Sequence, residues 1–174
     1  MYISRIAKDG REQLTTEHLH ECADYSSNIG EKFKASEICR LAALLHDIGK
    51  FSAEFVEYLK DSYKSEKFGN KHNRKGSVVH STQGAKYLYE LQSGNDDELI
   101  SALVRELSAI CIANHHGGLT DGISPCGDTP FLERLVRENG ALHYPEVIKA
   151  AEKEQIPLNI LPDSLERCKN ELIE

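Results

Sequence analysis

The chain has no tryptophan, and aromatic side chains make up only 7% of its 174 residues. It also has no Cys-x-x-Cys pair: the five cysteines, Cys22, Cys39, Cys111, Cys126 and Cys168, are scattered and odd in number. That pattern excludes a disulfide framework, and the three that fall on helical, apolar-looking stretches read as reduced core residues of an intracellular protein. No stretch approaches ~20 consecutive apolar residues, which excludes a membrane-spanning helix. Met1 to Gly10 has no apolar run either, so no signal peptide is read there and the expected location is cytoplasmic. Positive charge is in deficit, with a formal net charge of −7. This argues against a protein that coats nucleic acid, though not against a local basic channel. Repeats, low-complexity segments and a convincing strand pair are all missing. So is any Gly-x-x-x-x-Gly-Lys-Ser/Thr loop, which excludes a helicase motor of that type.

What remains is helical patterning, and the expected fold is all-α, a single domain over residues 1–174. A strand-like lead-in around Tyr2–Ile6 precedes a helix capped by Thr15 or Thr16 and running to Ile29-Gly30, with Glu17 well placed in its first turn. Ser36 can cap a central helix that contains Leu41-Ala42-Ala43-Leu44-Leu45 and stops at Gly49, a residue suited to a left-handed helix end. Further helices are expected at Ala53–Leu59, around Ala85, Leu88 and Leu91, at Asp96–Asn114, after Pro130, at Tyr144–Glu154 and at Leu161–Glu174. In the longest, Leu99, Ile100, Leu103, Val104, Leu107, Ile110 and Cys111 read as one core stripe. Lys60 to Gly76 reads as a loop in which Lys60, Lys64, Lys67, Lys71, Arg74 and Lys75 outnumber Asp61 and Glu66. Such a run is either a solvated connection or a contact surface for a phosphate backbone, with Lys64, Lys67, Lys71 and Lys75 as its substrate-binding residues.

Chemistry concentrates in the histidines. Five of the eight, His18, His46, His80, His115 and His116, fall where an element begins or ends. Asp47 follows His46 at the end of the central helix, where the macrodipole disfavours a carboxylate. Asp47 pointing to solvent and His46 satisfying a terminal carbonyl would be one solution. A buried cation is the other, since it turns the penalty into an attraction, and adjacent His and Asp are natural ligands for it. His115-His116 is hard to explain by packing, because protonated imidazoles repel and a metal holds both neutral. His20, His72 and His143 have weaker contexts.

His46-Asp47 with four flanking histidines resembles the HD phosphohydrolase superfamily. The ordered set is similar, more narrowly, to the HD nuclease domain of the CRISPR-associated type I helicase-nuclease. The matching pieces are His18-Leu19-x-x-Cys22-Ala23, Leu45-His46-Asp47-Ile48-Gly49-Lys50-Phe51, Lys75-Gly76-x-Val78-x-His80-Ser81-Thr82-x-Gly84-Ala85, His115-His116-Gly117-Gly118-Leu119-x-Asp121 and Phe131-Leu132-x-Arg134-Leu135. The resemblance implies an HD-type helical bundle around one or two divalent metals (manganese, magnesium, nickel, cobalt or iron). It implies His18, His46 and Asp47 on one metal, and Asp47 bridging to a second held by His80, His115 and His116. Asp47 and Lys50 would be catalytic, with Lys50 meeting the scissile phosphate, and Ser81 would stand behind the ligands. The implied reaction is two-metal hydrolysis of single-stranded DNA in antiviral defence. The implied partners are a helicase domain or subunit and a guide-RNA surveillance complex.

Two departures accompany the likeness. The family's further metal-binding Asp, in a later helix, has no confident counterpart before Glu174, Asp163 being in the wrong context. No helicase is present in these residues, so the chain reads as a fragment of a longer protein or a stand-alone subunit. Two alternatives stay open at the level of sequence: a nucleotide phosphohydrolase of the same superfamily, and a non-catalytic metal-binding HD module.

Overall fold

A computed structural model describes residues 1–69, 77–91, 98–136, 142–158 and 161–173. Among these lie eight α-helices and one two-stranded sheet. The helices are α1 (Thr15–Gly30), α2 (Ser36–Leu45), α3 (Ala53–Lys67), α4 (Gln83–Glu90), α5 (Glu98–Asn114), α6 (Pro130–Leu135), α7 (Tyr144–Lys153) and α8 (Leu161–Ile173). The all-α expectation holds. No helix among the described residues is long and apolar enough to cross a membrane.

The sheet corrects the reading that no strand pair exists. Strand β1 (Ile3–Ile6) pairs antiparallel with β2 (Glu12–Leu14), Ile3 opposite Leu14 and Ile6 opposite Glu12. The turn is closed by Ala7 N–H to the Arg11 carbonyl at 2.8 Å, with Gly10 at φ 90°. Asp9-Gly10 between two short extended runs is a hairpin signal. Strands of four and three residues are too short to show alternation, which hid the pair. The hairpin matters because it buries Ile3 and Ser4, and Ser4 faces the functional site.

Helices α1 and α2 pack together, and α2 also meets α5 and α8. Leu19, Leu41, Leu45, Ile48, Phe51, Leu88 and Ile112 fill the space between them. The cap of α1 is Leu14, not a threonine, and Glu17 accepts from the Leu14 N–H at 3.2 Å. Ser36 does not cap α2. It opens the helix while its hydroxyl bonds Ser27 at 2.8 Å.

Helix α2 stops at Leu45, four residues before Gly49. His46 and Asp47 then lead into a 3₁₀ turn over Ile48–Lys50, with Asp47 at φ −120°. Gly49 is not a left-handed terminator. Its role is close approach: a Cβ there would sit 2.6 Å from His80 Cα and collide with the His80 carbonyl and the Gln83 side chain. Gly84 likewise lies against the Leu45 carbonyl. The two glycines let the end of α2 and the entry to α4 touch backbone to backbone, which brings His80 to Asp47. Gly49→Ala is therefore expected to cost about 3 kcal/mol of stability, the upper end of overpacking effects. A fall in the denaturant midpoint at unchanged slope checks it, and a wild-type midpoint would contradict the close approach.

Helix α3 continues eight residues past the expected Leu59, so Lys60, Lys64 and Lys67 are helical rather than in a loop. Nothing in Lys60–Lys67 breaks a helix, and Lys64 and Lys67 in the last turn complement its dipole. Lys71 and Lys75 lie outside the described residues, as does His72.

The stripe expected on α5 is rotated. Leu99, Leu103 and Leu107 are exposed, whereas Ser101, Val104, Ser108, Ala109, Ile112 and Ala113 face inward. The small side chains allow neighbouring helices to approach closely, and that outweighs aliphatic bulk in choosing the buried face. The cysteine reading is corrected in part: all five are free thiols, but only Cys168 is a core residue.

Candidate metal centre

Four elements converge on Asp47. His18 comes from the first turn of α1, and His46 and Asp47 from the end of α2. His80 comes from the segment entering α4, and His115 and His116 from the two residues after α5. Helix termini are where a chain can turn side chains from several directions toward one point. All six residues expected to hold metal are brought together.

The carboxylate divides them. Oδ2 of Asp47 is 3.1 Å from His18 Nε2 and 3.1 Å from His46 Nε2. Oδ1 faces His115 Nε2 at 3.3 Å and His80 Nε2 at 3.9 Å. His80 Nε2 and His116 Nε2 are 2.8 Å apart. Two overlapping sets, His46-Asp47-His115 and Asp47-His80-His116, each place their donor atoms within 4.8 Å of one another. A carboxylate with imidazoles on both oxygens is the arrangement a bridging ligand requires.

The far sides of three rings are fixed by backbone. Nδ1 of His46 donates to the Ala43 carbonyl at 2.6 Å, and Nδ1 of His115 to the Ile112 carbonyl at 2.7 Å. Nδ1 of His80 donates to the Val78 carbonyl at 3.1 Å. A carbonyl can only accept, so the proton of each neutral ring is on Nδ1 and the Nε2 lone pair faces the cluster. A lone pair aimed at a carboxylate oxygen is repulsive unless a cation lies between them. Asp47 supports the same conclusion. It is 3% exposed, and its Oδ1 is buried without a completed hydrogen bond. The donor set therefore fits one or two divalent cations.

Lys50 is the cation present in the chain itself. Its Nζ is 2.6 Å from Asp47 Oδ2 and donates to Ser4 Oγ at 2.9 Å, and it is itself buried. Burial alone would raise the Asp47 carboxyl. Hydrogen bonds from His115, His18 and His46, donated whenever their Nε2 atoms carry a proton, and the charge on Lys50 outweigh it and hold the group well below the usual carboxylate range while no metal is bound. Burial lowers His80 from its ordinary 6.5 to about 4, against the pull of Asp47. Burial, and then the neighbouring His115 ring, lower His116. Rings held neutral are ready ligands.

His80 carries a pH prediction. Its folded-state value lies below the unfolded one, so on acidification the unfolded chain takes up the proton first. Its contribution is complete above pH 6.5 and is lost as pH falls toward about 4, on the order of 3 kcal/mol across that window. Asp47, depressed, adds a loss below its ordinary 3.8. Denaturant titration of metal-free protein from pH 7 to 4 measures this, and a flat profile would contradict the buried neutral ring.

Ser81 does not touch the donor atoms. Its hydroxyl accepts from Arg134 Nη2 at 2.8 Å, and Thr82 Oγ1 accepts from Arg134 Nε at 3.1 Å. Arg134 thus ties the segment carrying His80 to α6, and this gives the weak Phe131–Leu135 likeness a physical role. Lys64 and Lys67 are exposed toward the far end of α3, about 14 and 18 Å along the axis from Phe55, whose ring lies tilted against His80. The structure does not place them beside the cluster. His143 is engaged by Glu54 at 2.7 Å, and His20 is exposed on another face of α1.

Sequence reasoning missed Cys22. One turn after His18 on α1, it forms a third set with His18 and His46, donor atoms again within 4.8 Å. The available signal was the His18-x-x-x-Cys22 spacing, which puts both side chains on one helical face. Cys22 also lines an apolar groove of about 390 Å³, with Ile38, Ala42 and Leu107 among its walls, that opens onto His46 and His115.

In comparison with known proteins, the family model described as HD domain matches residues 15–160. No curated protein matches the chain.

Proposed function

Because the chain belongs to the HD-domain family, whose members are typically metal-dependent phosphohydrolases, we propose that it hydrolyses phosphodiester bonds in single-stranded DNA. The observation that carries the hydrolytic reading is Asp47: a buried carboxylate with imidazole nitrogens on both oxygens and a lysine ammonium at 2.6 Å. In this reading His18, His46 and Asp47 hold one metal, and Asp47, His80, His115 and His116 hold the other. Such ions supply water activation near neutral pH and stabilise charge on the phosphoryl oxygens. The chain's own groups do the rest. Nδ1-to-carbonyl hydrogen bonds fix three rings so that their donor nitrogens need no reorganisation. Lys50, held by Ser4 and Asp47, places a positive charge where a phosphate would approach. Arg134 keeps the His80 segment in register.

The substrate class rests on the ordered likeness to the CRISPR helicase-nuclease domain and on the openness of the cluster. His115 to Leu119 are all exposed. An open rim suits a passing strand better than a pocket enclosing a free nucleotide's base. A helicase domain or subunit, directed by a guide-RNA surveillance complex, would deliver that strand.

The decisive assay is cleavage of labelled single-stranded DNA across manganese, magnesium, nickel, cobalt and iron, with duplex DNA and deoxynucleoside triphosphates in parallel. Metal-dependent cutting of the single strand is expected. Turnover of nucleotides alone would move the protein to the nucleotide phosphohydrolases. Tight metal binding without hydrolysis of any substrate would make it a binding module.

A further inference from the structure

We infer that Cys22 is a thiolate ligand of the metal held by His18 and His46. The inference rests on the metal reading of the cluster but is independent of what the protein cuts.

On the Oδ2 side of Asp47 the expected ligands are only three, His18, His46 and Asp47. Cys22 stands at that edge. Its Sγ is 3.7 Å from His18 Nδ1 and 3.9 Å from His18 Nε2. In a tetrahedral site, with metal–sulfur and metal–nitrogen bonds of roughly 2.3 and 2.0–2.1 Å, sulfur and nitrogen donors sit about 3.6 Å apart. The observed spacing needs only a small contraction to reach that value. His18 and Cys22 are fixed to one face of α1 by their i, i+4 relation, so both side chains point toward α2 without loop rearrangement. A second observation, independent of the cysteine, marks the place as a cation site. With its Nδ1 proton held by the Ala43 carbonyl, His46 aims its Nε2 lone pair at Oδ2 of the buried Asp47, 3.1 Å away, a contact that is repulsive unless a cation lies between them.

Binding would replace the thiol S–H bond with a sulfur–metal bond and release the proton to solvent, with no change of oxidation state. A sulfur donor makes the two sites chemically unequal. The site near α1 becomes soft and favours zinc or cobalt, while the site of His80, His115 and His116, without sulfur, accepts harder ions.

Titration of the metal-free 174-residue protein with cobalt(II), followed by absorbance, tests this without any substrate. A thiolate-to-cobalt charge-transfer band in the near ultraviolet is expected for the wild type. It should be lost in Cys22→Ser, while the visible cobalt bands remain, and cobalt affinity at that site should fall at least about 10-fold. A Cys39→Ser/Cys111→Ser double variant, which removes the other two thiols of the groove, should keep the band. Cobalt binding with no charge-transfer band overturns the inference, and so does a band that survives Cys22→Ser. Failure to bind cobalt at all would overturn the metal reading of the cluster itself, and this inference with it. Should Cys22→Ser not fold, iodoacetamide labelling of the wild type decides. Cobalt must protect Cys22 while the exposed Cys111 stays reactive, and equal labelling of Cys22 with and without cobalt overturns the inference.

Discussion

Asp47→Asn is expected to reduce hydrolysis of single-stranded DNA by on the order of 10³-fold or more, with the helical signal retained. The substitution keeps the shape of a side chain that is 3% exposed and removes the charge on which the cluster converges. Both sets of imidazoles would then face a neutral amide, and two cations held by it would repel with no shared anion between them. Altering a group that merely supports a metal ligand already costs 10–100-fold in affinity, so neutralising a shared ligand should cost at least about that for each ion. Metal analysis after dialysis and single-turnover cleavage measure the two losses separately. Near wild-type cleavage by Asp47→Asn would end the two-metal reading. Loss of cleavage with full metal content would instead make Asp47 a residue of the chemistry and not of the binding.

Why this residue was legible in the sequence is physical. A carboxylate directly after an apolar helix, at the negative end of its dipole, needs a cation, and that need can be read without coordinates. The histidines at element boundaries were legible for a similar reason, and His18, His46, His80, His115 and His116 do converge. The junction that brings them together was not. Gly49 reads as a helix terminator, because a glycine after an apolar helix most often is one. Its actual role depends on His80, a residue 31 positions away that no local signal connects to it. The rotated face of α5 has the same origin. Periodicity identifies which residues share a face, but Ser101, Ser108 and Ala113 win the inner side only because α2 and α4 come close. A lone cysteine on a helix, such as Cys22, usually serves packing. Its distance to His18 gives it a different meaning.

Lys50→Met is expected to separate stability from catalysis. The Lys50 ammonium is buried, 2.6 Å from Asp47 Oδ2 and 2.9 Å from Ser4 Oγ. It is therefore the chain's own counter-charge for a carboxylate that has little access to water. Removing one partner of a buried ion pair strands the other, at a cost of about 3–5 kcal/mol. Metal-free Lys50→Met should lose an amount in that range, and Ser4 would lose its partner as well. A divalent cation at Asp47 replaces the lost charge, so added manganese should recover more stability in the variant than in the wild type. Metal affinity should be equal or tighter, because the ammonium no longer competes for Oδ2. Cleavage should not recover with it. If Lys50 neutralises the phosphate during bond breaking, kcat falls about 100-fold or more even with both ions bound, the scale seen when one positioned donor to a developing anion is removed. Denaturant titrations with and without manganese, set beside kcat at saturating metal, separate the two roles. Full recovery of both would reduce Lys50 to a structural counter-ion. Weaker metal binding in the variant would show that the lysine organises the carboxylate for the metal instead of competing with it.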